Sequence, residues 1–246
     1  MALSDGATSA KFAREAAIAT VNGIIQYFEE HTLREFLCLG EEIQKRILLD
    51  YIIKCLIILA KKSGCSDPRE FSATMLFFVS DEKNIICGHV GDGAIFITDR
   101  ANKIILVSGP ENENGISNKT FFPVSLNAID HFRVNQINIQ ETSASQALMT
   151  SDGAFLMFYN RGNHDPANTA KEILGYVNTG VVSSNNDLKD ALTQMAEVPS
   201  ERLDDWSILI YSQKKLHSES CLKQVSMLTE ELQKVSIIKK DKADEN

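Results

Sequence analysis

Between residues 73 and 108 the chain carries four short β-branched or aromatic runs, at 73–79, 85–90, 94–98 and 103–108. The turns between them are Ser80-Asp81-Glu82-Lys83-Asn84, Gly91-Asp92-Gly93 and Asp99-Arg100-Ala101-Asn102. A parallel crossover needs about a dozen residues or more, so connections this short predict an antiparallel meander. Two helices precede it. In residues 7–31, Phe12, Ala16, Ile25 and Phe28 fall near helical spacing, with Lys11, Arg14 and Glu15 beside them. In residues 41–62, Ile43, Ile47, Tyr51, Cys55 and Leu59 recur every four residues, and Leu48, Ile52 and Leu56 widen the stripe. Ser63-Gly64 supplies the stop.

Beyond the meander, residues 109–130 are rich in Asn, Gly and Pro and read as a surface loop. Strands are expected at 132–139 and 147–150, then a short helix at 154–160. Asp165-Pro166 offers an N-cap and a first-turn proline for a helix running to about residue 178. A further helix at 186–197 and a strand at 206–211 complete the pattern. This order predicts an α+β fold, antiparallel sheet with helices on its outer faces.

The length of 246 residues suits one large domain plus an appendage, here residues 1–212 and 213–246. In the second segment Val225, Leu228, Leu232 and Val235 form an apolar stripe on a charged background, ahead of a charged tail at 239–246. That is a short amphipathic helix, packed either on its own domain or against a partner. The net charge of −8 argues against nucleic acid or a membrane surface, which need a basic face. Five cysteines without a C-x-x-C spacing suit a reduced cytoplasmic protein without structural zinc. No apolar run reaches the roughly 18 residues of a membrane span, and no export signal opens the chain.

Acidic residues stand at the ends of the apolar runs: Asp5-Gly6, Asp92-Gly93, Asp152-Gly153 and the pair Asp204-Asp205. Each has an ordinary structural reading. Asp5 and Asp152 could cap helices, Asp92-Gly93 could close a hairpin, and Asp204-Asp205 could be a charged strand entry. Together they also form what a hard divalent cation needs: carboxylates at strand ends, beside residues that let backbone come close. The histidines show no metal-ligand spacing, and no nucleophile elbow, Walker loop or dinucleotide fingerprint is present.

Taken in order, the motifs resemble the metal-dependent protein phosphatase 2C (PPM) family in its bacterial branch. The pieces are Ser4-Asp5-Gly6-Ala7-Thr8-Ser9-Ala10-Lys11, Val90-Gly91-Asp92-Gly93, Asn118-Lys119-Thr120-Phe121-Phe122, Thr150-Ser151-Asp152-Gly153 and Asp204-Asp205-Trp206-Ser207. The resemblance implies a four-layer α-β-β-α sandwich of two antiparallel sheets flanked by helix pairs. It implies two Mn²⁺ or Mg²⁺ ions held by Asp5, the Gly6 carbonyl, Asp152 and Asp204, with Asp92 helping to hold a looser third. Asp5, Asp152 and Asp204 would be the catalytic set, acting on a phosphoserine or phosphothreonine protein through a metal-activated water. A cognate Ser/Thr kinase is the implied partner. The family carries one or two strands before its Asp-Gly motif, with a further acidic ligand and often a phosphate-binding arginine. Here only four residues precede Asp5, so an N-terminally incomplete sandwich is expected, with Arg14 a candidate phosphate contact. Leu156 stands where relatives often carry an acid. The alternative reading is a phosphatase-fold module that binds proteins with weak turnover or none.

Overall fold

The computed structural model describes residues 1–81, 83–99, 101–110, 120–142, 144–196 and 206–212. The amphipathic helix expected within 213–246 lies outside them, as do Asp204 and Asp205. The elements run β1 (Ala2–Leu3), α1 (Ala13–Glu30), α2 (Leu33–Leu37), α3 (Glu41–Ser63), β2 (Met75–Ser80), β3 (Asn84–Val90), β4 (Ala94–Thr98) and β5 (Ile104–Ser108). They continue as β6 (Arg133–Asn138), α4 (Ile139–Thr142), β7 (Gln146–Thr150), α5 (Asp152–Phe158), β8 (Tyr159–Asn160), β9 (Asp165–Pro166), α6 (Asn168–Thr179), α7 (Asn185–Ala196) and β10 (Ile208–Ser212). Two four-stranded antiparallel sheets form, in the orders β1-β2-β3-β6 and β10-β7-β4-β5.

Side-chain alternation along the strands sorts the core into three layers. Met75 and Phe77 of β2 pack with Ile86 and Val90 of β3 beneath Ile24, Tyr27, Leu48 and Ile52 of α1 and α3. Leu76 and Phe78, on the other face of β2, join Ile85 and Cys87 against Ile95, Ile97, Ala147 and Met149 of the second sheet. Phe96 and Leu148 then face outward onto Phe155, Phe158, Ile173, Leu174 and Leu192 of α5, α6 and α7. The stack is helix, sheet, sheet, helix, which is the α+β sandwich expected. Burying one such large apolar side chain contributes about 1.5–3 kcal/mol.

Four details differ from expectation. β2 pairs with β3 and β4 with β5, but β3 and β4 do not pair: Gly91-Asp92-Gly93 crosses between the sheets instead of closing a hairpin. A single meander would leave strands that are apolar on both faces with one face uncovered. The first long helix starts at Ala13, not residue 7, because the backbone before it bonds across to residues 70–74. Ala2–Leu3, where no strand was expected, pairs with Phe77 and Leu76 at the sheet edge. Asp165-Pro166 forms β9 against Tyr159 and Asn160, and α6 begins later, behind Ala167. There the tertiary ladder overrides the local helix-start signal.

A buried polar contact spans the sheets. His89 of β3 is fully buried, with Nδ1 2.9 Å from Ser108 Oγ and 3.1 Å from Arg133 Nη2. A guanidinium only donates, so Nδ1 accepts and the imidazole proton sits on Nε2, which has no partner among the described residues. Burial, and then the Arg133 charge, push the His89 pKa well below its ordinary value.

Two predictions follow from this packing. A Cβ on Gly88 would fall 2.0 Å from Cε1 of the fully buried Phe77, whereas one on exposed Gly175 meets nothing within 4 Å. Gly88→Ala should therefore cost about 1–3 kcal/mol in urea unfolding, and Gly175→Ala should gain about 0.5–1 kcal/mol. For His89 the folded pKa lies below the unfolded value of about 6.5, so the unfolded chain binds the extra proton. Its contribution is fully present above about pH 6.5 and is lost as pH falls from there through the folded pKa, at up to about 1.4 kcal/mol per pH unit. His89→Gln should flatten the acid limb of the stability–pH curve by that slope; an unchanged limb would contradict a buried neutral imidazole.

Candidate metal centre

Antiparallel registers bring the site's elements to one end of the sandwich. Met75 faces Val90, Ala94 faces Thr150, and Thr150 faces Ile208. The segments just beyond those residues therefore meet: 5–7, 91–93, 151–153 and 206–207.

Asp5 is held through its backbone. Its N–H donates to Thr74 Oγ1 at 2.8 Å, and its carbonyl accepts from the Thr74 N–H at 2.8 Å. Gly6 bridges to Ala73, and the Ala7 N–H donates to the Ser72 carbonyl at 3.0 Å. A Cβ on Gly6 would lie 2.7 Å from the Ala13 carbonyl, so only glycine lets α1 begin over this strand end. Asp5 is thus no helix cap: the N-cap of α1 is Phe12.

Asp92 lies on the inter-sheet crossing. Gly91 has φ 129°, and a Cβ on Gly93 would sit 2.5 Å from the Thr150 carbonyl, so both flanking positions require glycine. The Asp92 carboxylate accepts from the Thr120 hydroxyl at 2.5 Å. Burial raises the Asp92 pKa; the Thr120 bond opposes that shift, and the negative charge of Asp152 adds to it.

Asp152 is the exposed first residue of α5, behind the N-cap Ser151, so it is not the cap itself. Its Oδ1 accepts from the Gly153 N–H at 2.7 Å. Ser151 is pinned to the last strand: its N–H donates to the Ser207 carbonyl at 2.9 Å, and its Oγ accepts from the Ser207 N–H at 3.1 Å.

Asp5, Gly6, Asp92 and Asp152 line one polar cavity of about 720 Å³, together with Thr8, Ser9, Thr74, Thr120 and Ser207. Sequence reasoning gave no role to Thr74, Thr120 or Ser207; Thr120 and Ser207 had a signal only as members of the Asn118–Phe122 and Asp204–Ser207 motifs. Arg14 is exposed and does not line the cavity. A second cavity of about 610 Å³ beside α3, lined by Ile53, Leu56, Phe71 and Leu126, holds no acidic side chain. Of these two cavities only the polar one is lined by acidic side chains.

Every potential ligand in the polar cavity is oxygen, and no His or Cys lines it. Such a donor set could hold Mg²⁺ or Mn²⁺ and disfavours zinc. Among the described residues no three His, Cys, Asp or Glu side chains stand close enough to cage an ion. The residues present therefore fit an ion that keeps much of its water, as Mg²⁺ commonly does. A cation there would oppose both influences that raise the Asp92 pKa.

The family model for protein phosphatase 2C matches residues 1–193, and the chain belongs to that family. No curated protein matches at a significant level. Among solved structures, the fold is similar to the serine/threonine phosphatase Stp1 from Staphylococcus aureus: TM-score 0.53, 13% identity, 86% of this chain and 82% of that one. It is also similar to PppA, a regulatory component of T6SS in Pseudomonas aeruginosa: TM-score 0.55, 12% identity, 86% and 85%. The catalytic domain of the serine/threonine phosphatase PstP, solved with two manganese ions, aligns at TM-score 0.54 and 9% identity over 85% and 86%. At these identities the likeness carries the fold. No helix among the described residues is long and apolar enough to cross a membrane.

Proposed function

We infer that this chain is a metal-dependent protein serine/threonine phosphatase whose centre is the polar cavity. The observation that carries the reading is convergence: Asp5, Asp92 and Asp152, from three separate segments, line the same cavity. Membership of the protein phosphatase 2C family supports it, as does the manganese pair in PstP. In this reading Asp5, Asp152 and Asp204 hold two Mn²⁺ or Mg²⁺ ions, the Gly6 carbonyl adds an oxygen, and Asp92 steadies a looser third. Bound ions supply a water of lowered pKa and clamp phosphate oxygens in an in-line displacement. The chain's own part is to fix the carboxylates from rigid strand ends and to leave the cavity open to a phosphorylated side chain. Neither a covalent nucleophile nor a phosphoenzyme is required. The substrate is a phosphoserine or phosphothreonine protein, which makes a cytoplasmic Ser/Thr kinase the matching upstream activity. The helix expected in 213–246 is the segment for partner contact.

A second reading, a binding module with weak turnover or none, is favoured by one observation: Leu156 stands exposed where relatives often carry an acid.

The deciding experiment is hydrolysis of a phosphoserine peptide and p-nitrophenyl phosphate by the full chain with Mn²⁺, alongside thermal unfolding with and without the ion. Activity should need Mn²⁺, vanish in chelator, and fall on the order of 100-fold in Asp5→Asn and Asp152→Asn. Mn²⁺ at about 100 times its Kd should stabilise the fold by about 2.7 kcal/mol. Stabilisation without hydrolysis selects the binding module. Absence of both effects sinks the metal reading.

A further inference from the structure

The three residues that carry Asp92 between the sheets offer few handles. Glycine flanks Asp92 on both sides, so neither neighbour has a side chain to anchor the turn. Two of its groups are nevertheless held. The Asp92 carboxylate accepts from Thr120, and the Gly91 carbonyl accepts from Arg133 Nη2 at 3.1 Å. Arg133 opens β6 directly opposite His89 of β3. Its guanidinium reaches three acceptors on two stretches of chain: His89 Nδ1 and the Gly91 carbonyl at the end of β3, and the Gly109 carbonyl just past β5. Gly109 begins the connection that returns to the cavity at Thr120, the partner of Asp92. One side chain therefore ties down both the turn and the root of the segment that comes back to it.

We propose that Arg133 is a positioning residue of the metal centre, a three-way clamp that fixes the Gly91 peptide and so the direction in which Asp92 presents its carboxylate. The geometry needs a planar fork. Nη1 and Nη2 serve carbonyls on different segments at once, which a single ammonium cannot span. The turn needs the clamp because Gly91, at φ 129°, sits in a region where glycine alone is free to move. His89 completes the clamp as a neutral acceptor. Arg133 does not line the cavity and acts on Asp92 through the turn.

The kinetic consequence rests on the phosphatase reading; the mechanical one does not, and the test separates them. Arg133→Lys and Arg133→Met are made in the full chain. Two quantities are read: the Mn²⁺ concentration for half-maximal hydrolysis of p-nitrophenyl phosphate, against KM for the ester, and hydrogen exchange at residues 91–94. The Mn²⁺ requirement should rise about 10- to 100-fold, as for lost outer partners of metal ligands, with KM for the ester little changed. Exchange at 91–94 should quicken in both variants while the α1–α3 amides keep their protection. In an Asp92→Ala background, Arg133→Met should leave the Mn²⁺ requirement where it is, because nothing remains to be positioned. An equal shift in that background overturns the proposal and assigns Arg133 a general structural role. If the parent neither binds Mn²⁺ nor hydrolyses, the phosphatase reading fails, and exchange alone decides the clamp. Faster exchange confined to 91–94 in Arg133→Lys then supports it, and unchanged exchange overturns it.

Discussion

Strands that are apolar on both faces cannot rest at a solvent boundary, and β2, β4 and β7 are of this kind: nearly every residue in them is buried. Each needs cover twice, once from a helix layer and once from another sheet. One sheet with one helix layer would supply only half of that. The chain therefore has to leave β3 and enter a different sheet, and it does so in three residues. The location of the cavity follows from this requirement. The crossing fixes one end of the sandwich, and the antiparallel registers deliver the starts of β2 and β4 and the ends of β3 and β7 to that same end. Polar groups excluded from three apolar layers collect at the rim, where backbone turns and water can satisfy them.

Much of this was legible from period alone. The four-residue repeat of Ile47, Tyr51 and Cys55 marked α3 nearly to the residue, and Gly64 ends it in the left-handed conformation expected of a helix stop. The short β-branched runs marked the strands. Their partition between two sheets was harder to read, because the turn chemistry of Gly91-Asp92-Gly93 looks the same whether it closes a hairpin or crosses a sandwich. The sign that distinguishes them is the Ala-Ile-Phe-Ile-Thr run at 94–98, which has no charged face to give to water. Residues 7–12 looked helical because their bonds to residues 70 and 72 are tertiary and leave no local trace.

The candidate site was legible as acidic residues and illegible as a cavity. Asp5, Gly6, Asp92 and Asp152 carry a pattern because Asp-Gly recurs at the ends of three apolar runs. Asp204, the remaining member of that pattern, falls outside the described residues. Thr74 carries no pattern at all, and Thr120 and Ser207 carry one only as members of longer motifs, since a hydroxyl residue near a turn is ordinary. Yet these three do the fixing. The Thr74 hydroxyl accepts from the Asp5 N–H, the Thr120 hydroxyl donates to the Asp92 carboxylate, and the Ser207 backbone holds the hydroxyl and N–H of Ser151 beside Asp152.

That division of labour has a physical reason. A cavity lined by acidic groups must hold them in place without neutralising them. Lysine or arginine anchors inside it would form ion pairs and oppose the entry of a cation. Hydroxyls both donate and accept, carry no charge, and reach backbone and carboxylate alike. Arg133, the nearby cation that does hold the turn, does not line the cavity and spends its donors on two carbonyls and an imidazole. The burial and like charge that raise the Asp92 pKa are only partly offset by the Thr120 hydrogen bond, so the fold carries an electrostatic cost at its rim. A divalent ion bound there would relieve that cost, and metal affinity would then be linked to fold stability through the same carboxylates.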